Sequence, residues 1–349
     1  MRLSSRPFVV LVLSLAMAVP AAAQTPKKEP KPPKPIELKI ATLAPIGSSF
    51  HKILMEMDQE WRRDSKGSVR LTIFAGGSQG SEIDTVGRIR RGQLHGGLLT
   101  AGGLAEIDES VEALQSMPMM FRSLEEVDYV RAKLGGRIEK TLAQKGFLVL
   151  FWSDAGWVRF FTKDPVVRPD DLKRIDLYVT AGDTKQTDIM KAAGYNPIPL
   201  SPNDILAGLQ TGLITGVPTV PTIALSGQFY TKAPHMLEIN WAPLVGGFVV
   251  TKKKWDALPP ETQKALHASA LRAGERMKQL TRAENEKAVA EMAKRKLTVH
   301  KATPQIEAEW RAAAEKAYPK VRGGIVPADF FDEVKRLLAD YRKSGGAAR

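Results

Sequence analysis

The chain has 349 residues, 43% hydrophobic and 26% charged, with 51 Lys and Arg against 38 Asp and Glu, a net charge of +13 and no Cys. Without cysteine there is no disulfide framework, no thiolate metal site and no lipobox for acylation. The basic residues are mostly interleaved with acids, as in TRAENEKAVAEMAKRK, which suits a solvated mixed-charge surface and argues against a nucleic-acid partner.

Arg2 and Arg6 precede a short apolar run, Phe8 to Val19, and the small residues Ala21-Ala22-Ala23 follow. This pattern predicts a secretory signal peptide over 1–23, cut before Gln24, and places the protein in the periplasm without a lipid anchor. Residues 24–35, rich in Pro and Lys, read as an extended tether. Order is expected from Ile36. ELKIATL alternates polar and apolar residues and predicts a strand; Ser48 or Ser49 then caps a helix running to Arg63. VRLTIF predicts a second strand, Ser81 to Arg91 a helix and Gly96 to Thr100 a third strand, an alternation that argues for parallel α/β architecture. FLVLFW, from Phe147, is a buried-strand pattern; Leu177 to Thr180 and Phe248 to Thr251 are shorter strand candidates. From Pro260 to about Lys296 the pattern is helical, and Pro304 and Ala328 begin two more helices.

Among chemical motifs, the five histidines never stand at i, i+4, and no Walker or G-x-G-x-x-G sequence links a strand to a helix. No metal or cofactor is expected. Gly76-Gly77-Ser78-Gln79-Gly80 does fit the G-x-S-x-G pattern of a nucleophile elbow, with His235, His267 or His300 as possible bases. It comes only two strands into the mature chain, with no oxyanion loop before it. The same glycines have a plainer use: they let a ligand approach the backbone and point free N–H groups at it.

Six segments in order resemble the periplasmic substrate-binding subunits of TRAP transporters, the DctP type, from Ile36 to about Arg342. They are ATLAPIGSSFHK, FAGGSQGSEIDTVGRIRRGQLHGGLLTAG, SMPMMFRSLEEV, VVRPDDLKRIDLYV, ILAGLQTGLITGVPTVP and KKKWDALPPETQKAL. The resemblance implies a two-lobed α/β fold with crossing strands and a long helix linking the lobes, which close on a small organic ligand by hinge motion. It implies lobe I over 36–158, completed by about 246–275, and lobe II over 159–245, completed by C-terminal helices over about 276–345. It also implies a receptor rather than an enzyme, with TRAP-type membrane permease subunits, and other periplasmic components, as partners.

The departures bear on the ligand. The family's signature Arg, in K-I-R-V, is matched by Tyr178, which donates one hydrogen bond and cannot neutralise a buried carboxylate. A second family Arg, ahead of a Thr, is matched by Arg159, with one extra residue after Gly156. The family's D-G-x-E-N-P becomes Thr215 to Pro221, with Thr215 and Thr219 in place of charged and amide groups, and its Asn-His becomes Asn240-Trp241. These changes predict a rather apolar ligand, lipid-like or aromatic, held by Tyr178, Arg159, Trp157, Thr219, Thr215, Gln79, Trp241 and Met120. Plainer readings stand beside each: Tyr178 as a packed strand residue, Met120 as core filler, Arg159 as an ion-pair partner. A secreted serine hydrolase, and a structural relative that has lost ligand binding, remain the alternatives.

Overall fold

The computed structural model describes residues 34–346; the expected signal peptide and all but the end of the tether lie outside them. The first half contains β1 (Ile36–Thr42), α1 (Ser49–Asp64), β2 (Val69–Phe74), α2 (Glu82–Arg90), β3 (Gly96–Thr100) and α3 (Ala101–Ala105). A 3-10 turn at Glu109–Leu114, α4 (Leu124–Gln144) and β4 (Phe147–Thr162) follow. Next come α5 (Pro169–Leu172), β5 (Asp176–Thr180), α6 (Thr184–Ala192), β6 (Asn196–Leu200), α7 (Ile205–Thr211), β7 (Gly216–Thr219), α8 (Pro221–Ser226) and β8 (His235–Thr251). The chain ends with α9 (Lys252–Trp255), α10 (Pro260–Lys294), β9 (Thr298–Lys301), α11 (Pro304–Val321) and α12 (Ala328–Lys343).

One sheet carries the molecule, in the order β2-β1-β3-β8-β4-β7-β5-β6, with β9 added to β8. The expected parallel pairing holds at β1–β2, β1–β3, β5–β6 and β5–β7. The middle of the sheet is antiparallel, because β8 returns against β3 and β4, and β4 against β7. The FLVLFW run is therefore the start of a 16-residue strand. Likewise Phe248 to Thr251 is the end of a 17-residue one. At about 3.3 Å per residue each spans roughly 50 Å. β4 pairs with β8 through both halves of the sheet, with register shifts on either side of Ala155-Gly156, where Gly156 takes φ +86. A bulge at that point bends the strands where the halves meet.

Each half has a core on both faces. In the first, Phe147 joins Val130, Leu134 and Ile138 of α4 under one face, while Leu150 and Phe151 join Leu54 and Met57 of α1 under the other. In the second, Phe161 and Val217 meet Val289 and Met292 of α10, whereas Phe160 and Leu177 meet Trp310 of α11. Helix α10, 35 residues long, serves both halves: Leu266, Ala270 and Met277 pack in the first, Val289 and Met292 in the second. Helix α12 departs from the boundaries above. Its apolar stripe (Phe331, Val334, Leu338) packs with Val127 and Val130 of α4, so it completes the first half, not the second.

The middle of α10 is tied to the β4 bulge. Thr281 Oγ1 donates to Asp154 O (2.8 Å), and Asn285 Nδ2 donates to Ala155 O (2.5 Å). Arg282 forks onto the fully buried Asp154 carboxylate (Nε–Oδ1 3.0 Å, Nη2–Oδ2 2.6 Å) and reaches Asp128.

Candidate functional site

Ligands of open α/β sheets gather beyond the carboxyl ends of the parallel strands. Here those ends carry Thr100 on β3, Thr180 on β5 and Thr219 on β7. Thr219 stands opposite Arg159 of β4. Extending the Leu177–Gly216 pairing by three residues brings Thr180 level with Thr219, so Thr180, Thr219 and Arg159 form a row on one sheet face. Tyr178, two residues before Thr180, shares that face, and the two hydroxyls lie 3.1 Å apart.

Arg159 is the unusual member. Its side chain is 7% exposed, and its two acidic neighbours form only long ion pairs with it, Glu238 at 3.8 Å and the mostly exposed Glu286 at 3.5 Å. Its Nε and Nη1 are buried without any hydrogen-bond partner, and so is Thr222 Oγ1 at the start of α8. A buried guanidinium has donors that must be satisfied, and an anion in front of it would do so. Burial is the main cause that pushes the Tyr178 hydroxyl above its ordinary pKa, the Thr180 hydrogen bond opposes it, and the Glu82 charge adds to it. Tyr178 is therefore a protonated donor at neutral pH.

The opposite wall comes from the first half. Glu82, in the first turn of α2, accepts from Thr100 N (2.8 Å) and the Thr100 hydroxyl, and burial raises its pKa. Glu112 is pushed up to about 7, chiefly by burial, with the charges of Asp183, Glu109 and Glu82 adding and the Ser116 hydrogen bond opposing. Asp183 belongs to the second half, as the N-cap of α6. Other groups also meet across this gap. Lys185 pairs with Glu109, Asn203 Nδ2 lies 3.5 Å from Gly77 O, and a Cβ on Gly182 would sit 2.6 Å from Ile83 Cδ1. The halves are thus closed on one another.

The remaining predicted site residues disperse. Thr215 is at the other end of β7, where its hydroxyl accepts from Asp176 N (2.9 Å) and ties β5 to the sheet. Trp241 packs on Phe160 and Trp310 (ring centroids 5.2 and 5.6 Å), under the sheet face away from Arg159. Trp157 packs against the first-half core that contains Met120, and Met120 is buried there. Gln79 lies half-buried in the Gly-rich turn, whose Gly76 and Gly77 N–H groups donate to Ala44 O and Thr42 O and so hold the β1–α1 loop. Ser78 is exposed there; among the possible bases, His235 and His300 are paired with each other (3.0 Å) on β8 and β9, and His267 lies on α10. Sequence reasoning missed Thr180, Thr222, Glu82 and Glu112. Only Thr180 carried a signal, its i+2 spacing from Tyr178 on one strand.

Residues 40–323 match the family described as bacterial extracellular solute-binding protein, family 7 (DctP). The 2,3-diketo-L-gulonate-binding periplasmic protein YiaO of Escherichia coli (strain K12) is 26% identical over 64% of this chain and 69% of its own length. The C4-dicarboxylate-binding periplasmic protein DctP of Rhodobacter capsulatus is 22% identical over 85% of this chain and 87% of its own. A TRAP periplasmic solute binding protein from Ralstonia eutropha H16, solved with bound (S)-2-acetolactate, superposes with a TM-score of 0.80. It is 20% identical over 87% of this chain and 99% of that one, so the two share a fold. With a family match over most of its length and the two-lobed fold behind it, this chain belongs to the family 7 bacterial extracellular solute-binding proteins, as a receptor of the DctP type.

Proposed function

We propose that the protein is a periplasmic receptor that captures a small organic acid with a single carboxylate and a largely apolar body, and hands it to a TRAP-type membrane permease without chemical change. The observation that carries this reading is the buried Arg159, with Nε and Nη1 unpaired. Its ion pairs to Glu238 and Glu286 are too long to satisfy those donors, and the carboxylate of an organic acid supplies two acceptor oxygens in the geometry of the guanidinium fork. Thr219 stands beside it and the Tyr178 hydroxyl offers a further donor. The relatives support the acid group, since the ligands in their names, a diketogulonate, a C4-dicarboxylate and an acetolactate, are all carboxylates.

The expectation of a rather apolar ligand is kept, with one acid group added. Tyr178 in place of a second guanidinium leaves one cation on this wall, and Glu82 opposite it repels a second carboxylate. Both effects disfavour a dicarboxylate. Lobe I then comprises β1 to the bulge of β4 with the end of β8 and α12, and lobe II comprises β5 to β7 with α11. The hydrolase alternative finds no support in the surroundings of Ser78.

The test is a titration-calorimetry panel of branched and aromatic monocarboxylates, C4-dicarboxylates, uronates and neutral apolar compounds. Monocarboxylates are expected to bind best, and Arg159→Ala to weaken them on the order of 100-fold. Preferred binding of a neutral compound, or unchanged affinity in Arg159→Ala, would overturn the proposal.

A further inference from the structure

A second cationic site stands apart from the cleft. The segment Met119–Arg122, α11 and α12 border an open cavity of about 840 Å³, whose lining includes five basic residues, Arg122, Arg311, Arg322, Lys335 and Arg342. Two of these charges are already met. Arg342 grips Glu126 in a fork (2.7 and 2.8 Å), and Arg322 grips Asp332 (2.8 and 2.6 Å). Arg122, Arg311 and Lys335 have no ion-pair partner among the described residues, and Arg311 spends one N–H on Met119 O (2.7 Å). Glu315 is the one lining acid left unpaired, so positive charge prevails. The crowding shows in Arg122, whose pKa is held below its ordinary value first by Arg342, then by burial and by Arg311.

On one side the wall is apolar, with Tyr318 and Phe331 set edge to face at 5.5 Å and the Tyr318 hydroxyl donating to Pro118 O (2.8 Å). The cavity is far larger than one water or halide needs, and it combines unpaired cations with an aromatic wall. Arg311 comes from α11, which covers the sheet face bearing Phe160 and Trp241; Arg159 and Thr219 share the other face with Phe161 and Val217. The two sites are therefore distinct, and this inference does not depend on the ligand proposed above.

We infer that the cavity between α11, α12 and the Met119–Arg122 segment binds a small organic polyanion, carrying at least two negative groups, on Arg122, Arg311 and Lys335. The negative groups belong to a polycarboxylate or to a phosphorylated compound, since guanidinium and ammonium groups accept both. Binding relieves the repulsion among the guanidinium groups and weakens as salt screens the attraction.

The test is calorimetric titration of the full mature chain with citrate and, separately, with pyrophosphate at low ionic strength. Saturable binding of either is expected, with the stronger probe naming the class. The variant Arg122→Ala/Lys335→Ala removes two side chains that hold no partner in the fold, and is expected to bind at least about tenfold more weakly while melting as the parent does. Arg159→Ala is expected to leave this binding within about twofold, since the sites are separate. The inference is overturned if neither probe binds at about 10 mM, if Arg122→Ala/Lys335→Ala binds as the parent does, or if Arg159→Ala abolishes binding.

Discussion

Arg159 and Tyr178 show how much one side chain sets at this site. A guanidinium buried with two nitrogens that lack hydrogen-bond partners is costly, and under the proposed function a ligand carboxylate would offset that cost. Tyr178 supplies a neutral donor where a second cation would double the positive charge. Tyr178→Arg is accordingly expected to tighten binding of a C4-dicarboxylate by about tenfold or more and to lower the melting temperature without ligand, as read by calorimetry. Glu112 makes a pH-dependent contribution of the opposite kind. Its folded pKa of about 7 lies above the ordinary 4.5, so the folded state holds its proton more tightly than the unfolded chain does. Below the ordinary value both states are protonated and nothing is lost. As pH rises from there to about 7 the unfolded chain ionises first, and stability falls by up to about 3 kcal/mol. Above that the penalty is constant. Glu112→Gln should therefore be more stable than the parent near pH 8 and indistinguishable near pH 3.5, values set about one unit either side of that window, in denaturant unfolding.

Among the elements, α10 and β4 act as a pair. The helix crosses from one core to the other, and its middle turn is fastened to the strand bulge by Thr281, Arg282 and Asn285. Asn285 Oδ1 also accepts from Thr222 N (3.2 Å), so the same residue reaches the start of α8. Gly156 fits the bulge through its positive φ and through the Asn285 amide, which leaves no room for a Cβ. Removing the Arg282 charge leaves the fully buried Asp154 carboxylate with only the long ion pair to Arg131 at 3.9 Å. Arg282→Ala should cost about 3 kcal/mol in urea unfolding, and adding Asp154→Asn should restore part of it, because the poorly paired buried charge is then gone. Equal losses in the single and double variants would mean that the pair contributes only through packing.

At the scale of the whole molecule, closure rests on the contacts that join the halves: Lys185 with Glu109, Asn203 with Gly77 and Gly182 with Ile83. Gly182 has φ +97, and a methyl there would press on Ile83 Cδ1 at 2.6 Å. Gly182→Ala should hold the lobes slightly apart, so that ligand-induced compaction in solution scattering shrinks and affinity falls while the melting temperature of the free protein changes by only a few degrees. Full compaction in that variant would show that the rim yields without cost.

Much of the local structure was legible in the sequence, because local physics decides it. Ser48 caps α1, Ser81 and Asp84 form the capping box of α2, and VRLTIF and Gly96 to Thr100 alternate or bury as strands do. Even Leu124–Gln144, which the periodicity reading does not single out, is announced by Ser123 and Glu126 as cap and third helical residue. The order of those elements, with the motif resemblance, was enough to determine the two-lobed class; that Tyr178, Arg159 and Thr219 share one sheet face came from the strand pairing. Which of the predicted residues meet was decided only by the tertiary structure. Thr215 and Thr219 are four residues apart on one segment, yet one ties β5 to the sheet and the other faces Arg159. Likewise α12 joined the first lobe, and the middle of the sheet turned antiparallel. The physical reason is the same in each case: strand pairing and helix packing join residues far apart in the chain, and those contacts, not local preference, fix where each side chain points and whether its charge finds a partner.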